Sequence, residues 1–102
     1  MNAPSKFERI VGGKRYSTAT ATLIADDVYW DGHNMERSGR NRFLYRTPKG
    51  AYFVVTLTQW QGEADTLEPI SQQEAIELYE NSLTEHAVEY GEAFPEVTVE
   101  DA

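Results

Sequence analysis

The sequence predicts a single α+β domain, spanning 1–102, in which an antiparallel sheet of about four strands packs against one main helix. Three observations lead to this prediction. Segment 40–60 has the alternation and the turn residues of a β-hairpin, and segment 72–83 has the periodicity of an amphipathic helix. The chain has 102 residues, 40% of them hydrophobic, which suits one modest core. Residues 1–5 and about 96–102 are expected to be loosely held.

The central hairpin is predicted from its turn. Pro48 suits the second position of a type I turn, and Gly50 suits the left-handed position that follows. The loop is then three residues long, with Thr47 opposite Ala51. Because side chains alternate between the two faces of a strand, this turn also fixes which residues share a face.

The resulting register gives the hairpin two different faces. One face holds three pairs, which are Tyr45 with Phe53, Phe43 with Val55, and Asn41 with Leu57. We expect the helix to cover this face, and the predicted core is Tyr45, Phe43, Phe53, Val55, Leu57, Ala75, Leu78 and Tyr79. The other face is predicted to be amphipathic and basic, with Arg40, Arg42, Leu44, Arg46, Tyr52, Val54 and Trp60.

The helix has a start signal. Ser71 is an N-cap residue and Glu74, three residues later, completes a capping box, so the helix should run from about Gln72 to Leu83. On a helical wheel the apolar residues gather on one side, while Glu74, Glu77 and Glu80 form a stripe on the other.

The remaining elements are predicted less sharply. Gly12-Gly13 is a two-residue hairpin turn. Segment 17–30 permits either helix or strand, and we favour a helical turn near 18–22 followed by a strand from about Leu23 to Trp30. Segment 31–41 is predicted to be an exposed binding loop. Segment 86–90 can alternate as an edge strand.

Composition excludes several classes of protein and of site. The chain has no cysteine, so disulfides and thiolate chemistry are excluded. It shows neither an apolar run like that of a signal peptide nor a stretch approaching the roughly 18 apolar residues of a membrane span. A cytoplasmic location, with no membrane partner, is the expectation.

The charges are distributed unevenly along the chain. Residues 1–50 hold all nine lysines and arginines and five acidic residues, whereas residues 51–102 hold twelve acidic residues and no basic one. Such asymmetry points to interaction surfaces, although an acidic surface that only keeps the protein soluble is an equally weighted interpretation.

Catalytic signatures are missing from the sequence. The chain has no phosphate-binding glycine loop, zinc pattern or nucleophile elbow, so no catalytic residue, metal site or cofactor is predicted. The best metal-binding guess, Asp31 with His33 and His86, has a spacing that arises often by chance. The prediction is a binding protein, and an enzyme of unknown type stays as an alternative.

Two candidate binding surfaces point to opposite partners. The first is acidic and suits a protein with a basic surface, which it would recognise by complementary charge. Its residues are Glu74, Glu77, Glu80, Glu63, Asp65 and Glu68. The second is the basic hairpin face, which combines cations for phosphates with rings for base stacking. Its residues are Arg37, Arg40, Arg42, Arg46, Tyr52 and Trp60. A net charge of −8 disfavours nucleic acid, and the preferred interpretation is that this face lies under another element or in water, with the arginine stems covering Leu44 and Val54.

Three segments carry a resemblance. The motifs GKRY at 13–16, LYRTPKG at 44–50 and PIS at 69–71 resemble a family of small uncharacterised bacterial proteins that often occur in phages and mobile elements. Ser17 departs from the aspartate that this family suggests. The resemblance implies no catalytic residue. It implies an anti-defence context, in which the partner of the acidic surface is a nucleic-acid-binding restriction or CRISPR protein and the protein acts as an anti-CRISPR or anti-restriction inhibitor.

Overall fold

The computed structural model describes residue 4 and residues 6–27, 40–58 and 61–102. The described chain is α+β. Strands β1 (Glu8–Val11) and β2 (Lys14–Ser17) form a separate hairpin. The main sheet contains β3 (Thr22–Asp26), β4 (Arg40–Arg46), β5 (Tyr52–Thr58), β6 (Thr66–Ile70) and β7 (Glu85–His86). The helices are α1 (Gln72–Glu77), which continues as a π-helical turn (Leu78–Ser82), and α2 (Tyr90–Ala93).

The main sheet is antiparallel and has the strand order β6-β5-β4-β3-β7. It therefore has five strands among the described residues, one more than the predicted four. Strand β7 lies at the edge of this sheet, where its two residues pair with Ala25 and Asp26 of β3. The sequence offered an edge strand at 86–90, and β7 overlaps that segment at His86 only.

The register of the central hairpin is confirmed. Tyr45 lies opposite Phe53, and the other predicted pairs of β4 and β5 also form. The turn has the expected chemistry, because the Gly50 N–H donates to the Thr47 carbonyl at 2.9 Å and Gly50 has φ +88°. The turn residues alone were sufficient to define this hairpin.

The hairpin face predicted as core is buried, but the prediction that the helix covers it was wrong. The helix covers the side of the sheet that carries Leu44, Tyr52 and Val54, not the side predicted from the aromatic pairs. On this helix side the buried cluster contains Ile24, Ala25, Leu44, Tyr52, Val54, Ala75, Tyr79, Leu83, Ala93 and Phe94. Both faces of the hairpin are apolar at their centre, so both are buried, and the arginines on the helix side lie towards the ends of the strands.

The opposite side of the sheet is covered by the β1–β2 hairpin. Its buried cluster contains Phe43, Tyr45, Phe53, Val55 and Leu67, with Phe7 and Tyr16 packed against it. The ring of Tyr16 meets the ring of Phe53 edge to face, with centroids 5.8 Å apart. The sheet thus lies between a helical layer and a small hairpin layer. Leu57 and Leu78, predicted as core, are half-buried at the margins of the two clusters.

The predicted helix is present, and so is its capping box. Ser71 Oγ accepts the N–H of Glu74 at 3.1 Å, and Glu74 Oε1 accepts the N–H of Ser71 at 3.3 Å. The last turn is wider than an α-helix, because Leu83 N–H donates to the carbonyl of Leu78, five residues earlier, at 2.8 Å.

Other segments match their predictions in part. Gly12 and Gly13 have φ +60° and +78°, as the turn of β1–β2 requires. The strand predicted from Leu23 to Trp30 is β3 as far as Asp26, and its predicted end lies outside the described residues. Most of the predicted binding loop lies there too, and its last two residues, Arg40 and Asn41, belong to β4. Within the described ranges, no helix is long and apolar enough to cross a membrane.

Candidate functional site

The helical layer carries acidic residues on its outer surface. Glu74, Glu77 and Glu80 are exposed along α1 and the π-helical turn, while the apolar side of this helix packs on the sheet. Glu89 and Glu92 are exposed at α2. These five glutamates are called the acidic face below. Residues 71–102, which include both helices, contain nine acidic residues and no lysine or arginine.

The glutamates of the acidic face differ in how far the fold uses them. Glu74 serves the capping box, and Glu80 accepts a hydrogen bond from the Tyr90 hydroxyl at 3.1 Å. Burial and then this hydrogen bond raise the pKa of Tyr90. The Glu77 carboxylate has no such role in the fold and is exposed in the middle of the helix stripe, so it is available to a binding partner.

Two shallow recesses open on the helical layer. One is lined by Glu74, Glu77, Leu78, Asn81 and Ser82. Each recess places carboxylates beside an apolar side chain, which is the combination that a lysine or arginine side chain needs for its charged head and its aliphatic stem.

The second recess contains a stacked aromatic pair. Its lining includes Tyr79, His86, Glu89 and Glu92. The imidazole of His86 stacks on the Tyr79 ring with centroids 3.7 Å apart, and its Nε2 lies 2.8 Å from the Tyr79 carbonyl oxygen. The Tyr79 hydroxyl donates to the carbonyl of Val88 at 2.7 Å. Burial and the charge of Glu89 raise the pKa of Tyr79.

Of the three other acidic residues predicted for the same surface, two lie elsewhere. Glu63 forms a two-pronged ion pair with Arg40 and accepts the hydroxyl of Thr58 at 2.6 Å. The hydrogen bonds from Arg40 and Thr58 lower the pKa of Glu63. Asp65 accepts the N–H of Thr58 at 2.9 Å. Both therefore hold the connection between β5 and β6, at some distance along the sheet from α1.

Glu68 is the third of these residues, and it remains available. It is exposed on β6 directly opposite Val54, which faces the helix side. Residues opposite each other in an antiparallel pair share a face, so Glu68 lies on the same side of the sheet as the acidic face.

The arginines predicted as a nucleic-acid surface are partly occupied by the protein's own acids. Arg40 is paired with Glu63, which raises the pKa of Arg40 further. Asp27 accepts both the backbone N–H of Arg42, at 2.7 Å, and its Nε, at 3.3 Å. Each of these two cations therefore already lies beside a carboxylate of the protein, with which a nucleic-acid phosphate would have to compete.

Tyr52 cannot serve as a stacking ring on this surface. It is 4% exposed, packs beside Phe94, and donates its hydroxyl to the carbonyl of Ala93 at 2.7 Å. The prediction of Tyr52 as an exposed stacking ring was wrong, because the helical layer covers it. Arg46 is half-buried, and its Nε has no hydrogen-bond partner in the described chain. Arg37 and Trp60 lie outside the described residues.

The β1–β2 hairpin gives the opposite side of the molecule a basic character. Lys6, Arg9, Lys14 and Arg15 are exposed there, with Glu8 as the acidic residue among them. Because this hairpin and the helical layer cover opposite sides of one sheet, much of the charge asymmetry of the sequence becomes a separation in space. The exceptions are the arginines of β4 on the helix side, of which Arg40 and Arg42 lie beside carboxylates.

The proposed metal ligands are not brought together in the part of the chain that the structure describes. Over the described ranges, no group of three or more histidine and carboxylate residues is placed to hold a metal ion. His86 lies against Tyr79, whereas Asp31 and His33, the other two residues of the metal guess, lie outside the described ranges.

Sequence reasoning missed Asp27 and the Tyr79–His86 stack. Asp27 also accepts the side-chain amide of Asn41 at 3.3 Å, so it orders the start of β4. The alternation that predicted the hairpin contains no signal for a partner fifteen residues earlier. The stack depends on how β7 packs against the helix, and the alternation of segment 86–90 does not indicate that contact.

No protein-family model, curated protein or solved structure matches the chain.

Proposed function

We propose that this protein is a non-catalytic binding protein that presents its acidic face to a basic surface of another protein. One observation carries the proposal: residues 71–102 have nine acidic residues and no lysine or arginine, and five exposed glutamates lie on the helical layer, four of them lining its two recesses.

The spacing of the glutamates supports a binding role. Glu74, Glu77 and Glu80 follow one another at three-residue intervals, where like charges on a helix repel by a few tenths of a kcal/mol per pair. Acids alternating with lysines would have stabilised the helix by attraction between neighbouring side chains. A positively charged partner would relieve this repulsion. Complementary charge would also increase the association rate and the selectivity for basic partners.

The occupied arginines support the same conclusion. Two of the three described arginines of β4, Arg40 and Arg42, lie beside carboxylates, and Tyr52 is buried. A nucleic-acid surface built on them would have to break these ion pairs. The acidic face requires no such rearrangement.

The class of partner follows from the charge. A surface that binds nucleic acid is rich in lysine and arginine, so it is the natural counterpart of a dense carboxylate array. With the resemblance to mobile-element proteins, the proposed partner is a nucleic-acid-binding defence protein in the cytoplasm, whose binding groove the acidic face would occupy.

The test is a pull-down from nuclease-treated bacterial lysate with the tagged full-length chain, at low and at roughly 0.15 M salt. Wild-type protein should retain a protein with a basic surface, less strongly at the higher salt. Glu77→Lys should lose that partner, since it reverses a charge in the middle of the acidic face.

Glu8→Lys is the matched control. It makes the same change in net charge on the opposite side of the sheet, and it should retain the partner. Thermal unfolding of both variants checks that they fold. Equal retention by the two variants, or recovery of nucleic acid without a protein, would contradict the proposal.

A further inference from the structure

The outer edge of β6 is closed to a further strand. Arg9 reaches over from β1 and donates its Nη1 to the carbonyl of Leu67 at 2.7 Å. Pro69, the next residue of β6 with the same orientation, has no N–H to donate. Ladder hydrogen bonds are therefore blocked at both positions that face away from β5.

The outer edge of β1 is open. Val11 and Lys14 flank the two-residue turn and so form a hydrogen-bonded pair, and such pairs alternate along the hairpin. The N–H and carbonyl groups of Glu8 and Ile10 consequently point away from β2. No described residue bonds to them. The side chain of Ile10 is 62% exposed.

The end of the described chain has the pattern of an unpaired strand. Val97 packs against the helix-side cluster, and residues 97–102 form no regular element. The sequence Val97-Thr98-Val99 alternates, and Val99 is 70% exposed. Val99 and Ile10 are the two large apolar side chains that the described part of the chain leaves most exposed.

The open edge and this segment have complementary charges. Lys14 and Arg15 lie beside Ile10 on the hairpin, while Glu100 and Asp101 follow Val99. Arg15 is exposed, with its Nε 3.6 Å from a carboxylate oxygen of Glu8, so Lys14 is the cation without an ion pair within the hairpin. The two features lie on opposite sides of the sheet, because Val97 packs with the helical layer. This arrangement suits contact between two molecules.

We propose that residues 97–101 of one copy add as a strand to the outer edge of β1 in a second copy, with Val99 covering Ile10. Five residues span roughly 16 Å, enough to follow the four residues of β1. A reciprocal exchange closes the assembly as a two-fold dimer. The contact is small, so the dissociation constant should be on the order of 100 μM.

The first test is sedimentation of the full-length chain from about 10 μM to about 1 mM. The mean mass should rise from 11.6 kDa towards that of a dimer. Ile10→Asp and Val99→Asp should each keep the protein monomeric. Both positions are exposed, so neither change should affect folding. Thr66→Asp adds the same charge at an exposed position on β6 and should associate like wild type.

The second test reverses the charges of the hairpin and of the terminal segment, first separately and then together. Lys14→Glu/Arg15→Glu and Glu100→Lys/Asp101→Lys should each weaken association about tenfold or more when alone. An equimolar mixture of the two should associate again, because each acidic hairpin meets a basic segment. A wild-type protein that is monomeric throughout, association that survives both aspartate variants, or a mixture that associates no better than its components would overturn the proposal.

Discussion

At the scale of single residues, the same side chain type performs different roles according to its neighbours. Asp27 holds the start of β4, and Asp65 holds the end of β5. Glu77 has no comparable structural task. A sequence shows that these residues are acidic, but not which of them the backbone will supply with a donor. This is why Glu63 and Asp65 were grouped with the helix glutamates.

Tyr45 yields a prediction about pH. It is 3% exposed and stacks on Phe53 with ring centroids 5.1 Å apart. Burial, and then the charge of Asp26, raises its pKa to about 12. An unfolded chain loses this proton near pH 10, so the stabilising contribution is complete below about pH 10 and is lost as the pH rises towards 12.

Tyr45→Phe should therefore reduce the loss of unfolding free energy between about pH 10 and 12 by up to about 2 kcal/mol. Urea unfolding across that range measures the effect. Some dependence should persist, since Tyr79 and Tyr90 also have raised pKa values. An identical pH dependence in the variant and wild type would show that Tyr45 ionises as freely in the folded chain as in the unfolded one.

At the scale of elements, turn and cap residues were decisive. Pro48 and Gly50 defined the central hairpin, and Ser71 with Glu74 defined the helix start, because each depends on local geometry. The side of the sheet that the helix covers depends on packing between distant segments. With apolar centres on both faces of the hairpin, the sequence contained no preference strong enough to decide it. The wide π-helical turn was likewise not signalled.

Replacing each of two glycines with alanine should change the stability of the fold in opposite directions. Gly50 has φ +88°, and an added Cβ would lie 3.3 Å from Arg46 Nη2, so Gly50→Ala should cost about 1 to 2 kcal/mol. Gly91 lies in α2 with nothing within 4 Å of an added Cβ, so Gly91→Ala should stabilise by about 0.5 kcal/mol. Chemical denaturation of both variants compares the same added methyl group. Equal effects would contradict the turn geometry assigned to Gly50.

At the scale of the whole molecule, charge is separated across the sheet. The sequence showed that acids follow bases along the chain, and the three layers convert this order into an acidic side and a basic side. Only the positions of β1–β2 and of residues 71–102 on opposite sides of the sheet make this possible. The two proposals use these two sides, since the acidic face would meet a basic partner and the basic hairpin would meet an acidic segment.

The most direct measurement is to titrate the isotope-labelled protein with an arginine-rich peptide and follow the backbone amide shifts by NMR at low and roughly physiological salt. The account predicts that the largest shifts fall in residues 72–93, diminish with salt, and weaken in Glu77→Lys but not in Glu8→Lys. Shifts spread evenly over the chain, or concentrated on β1–β2, would contradict the assignment of the acidic face as the binding surface.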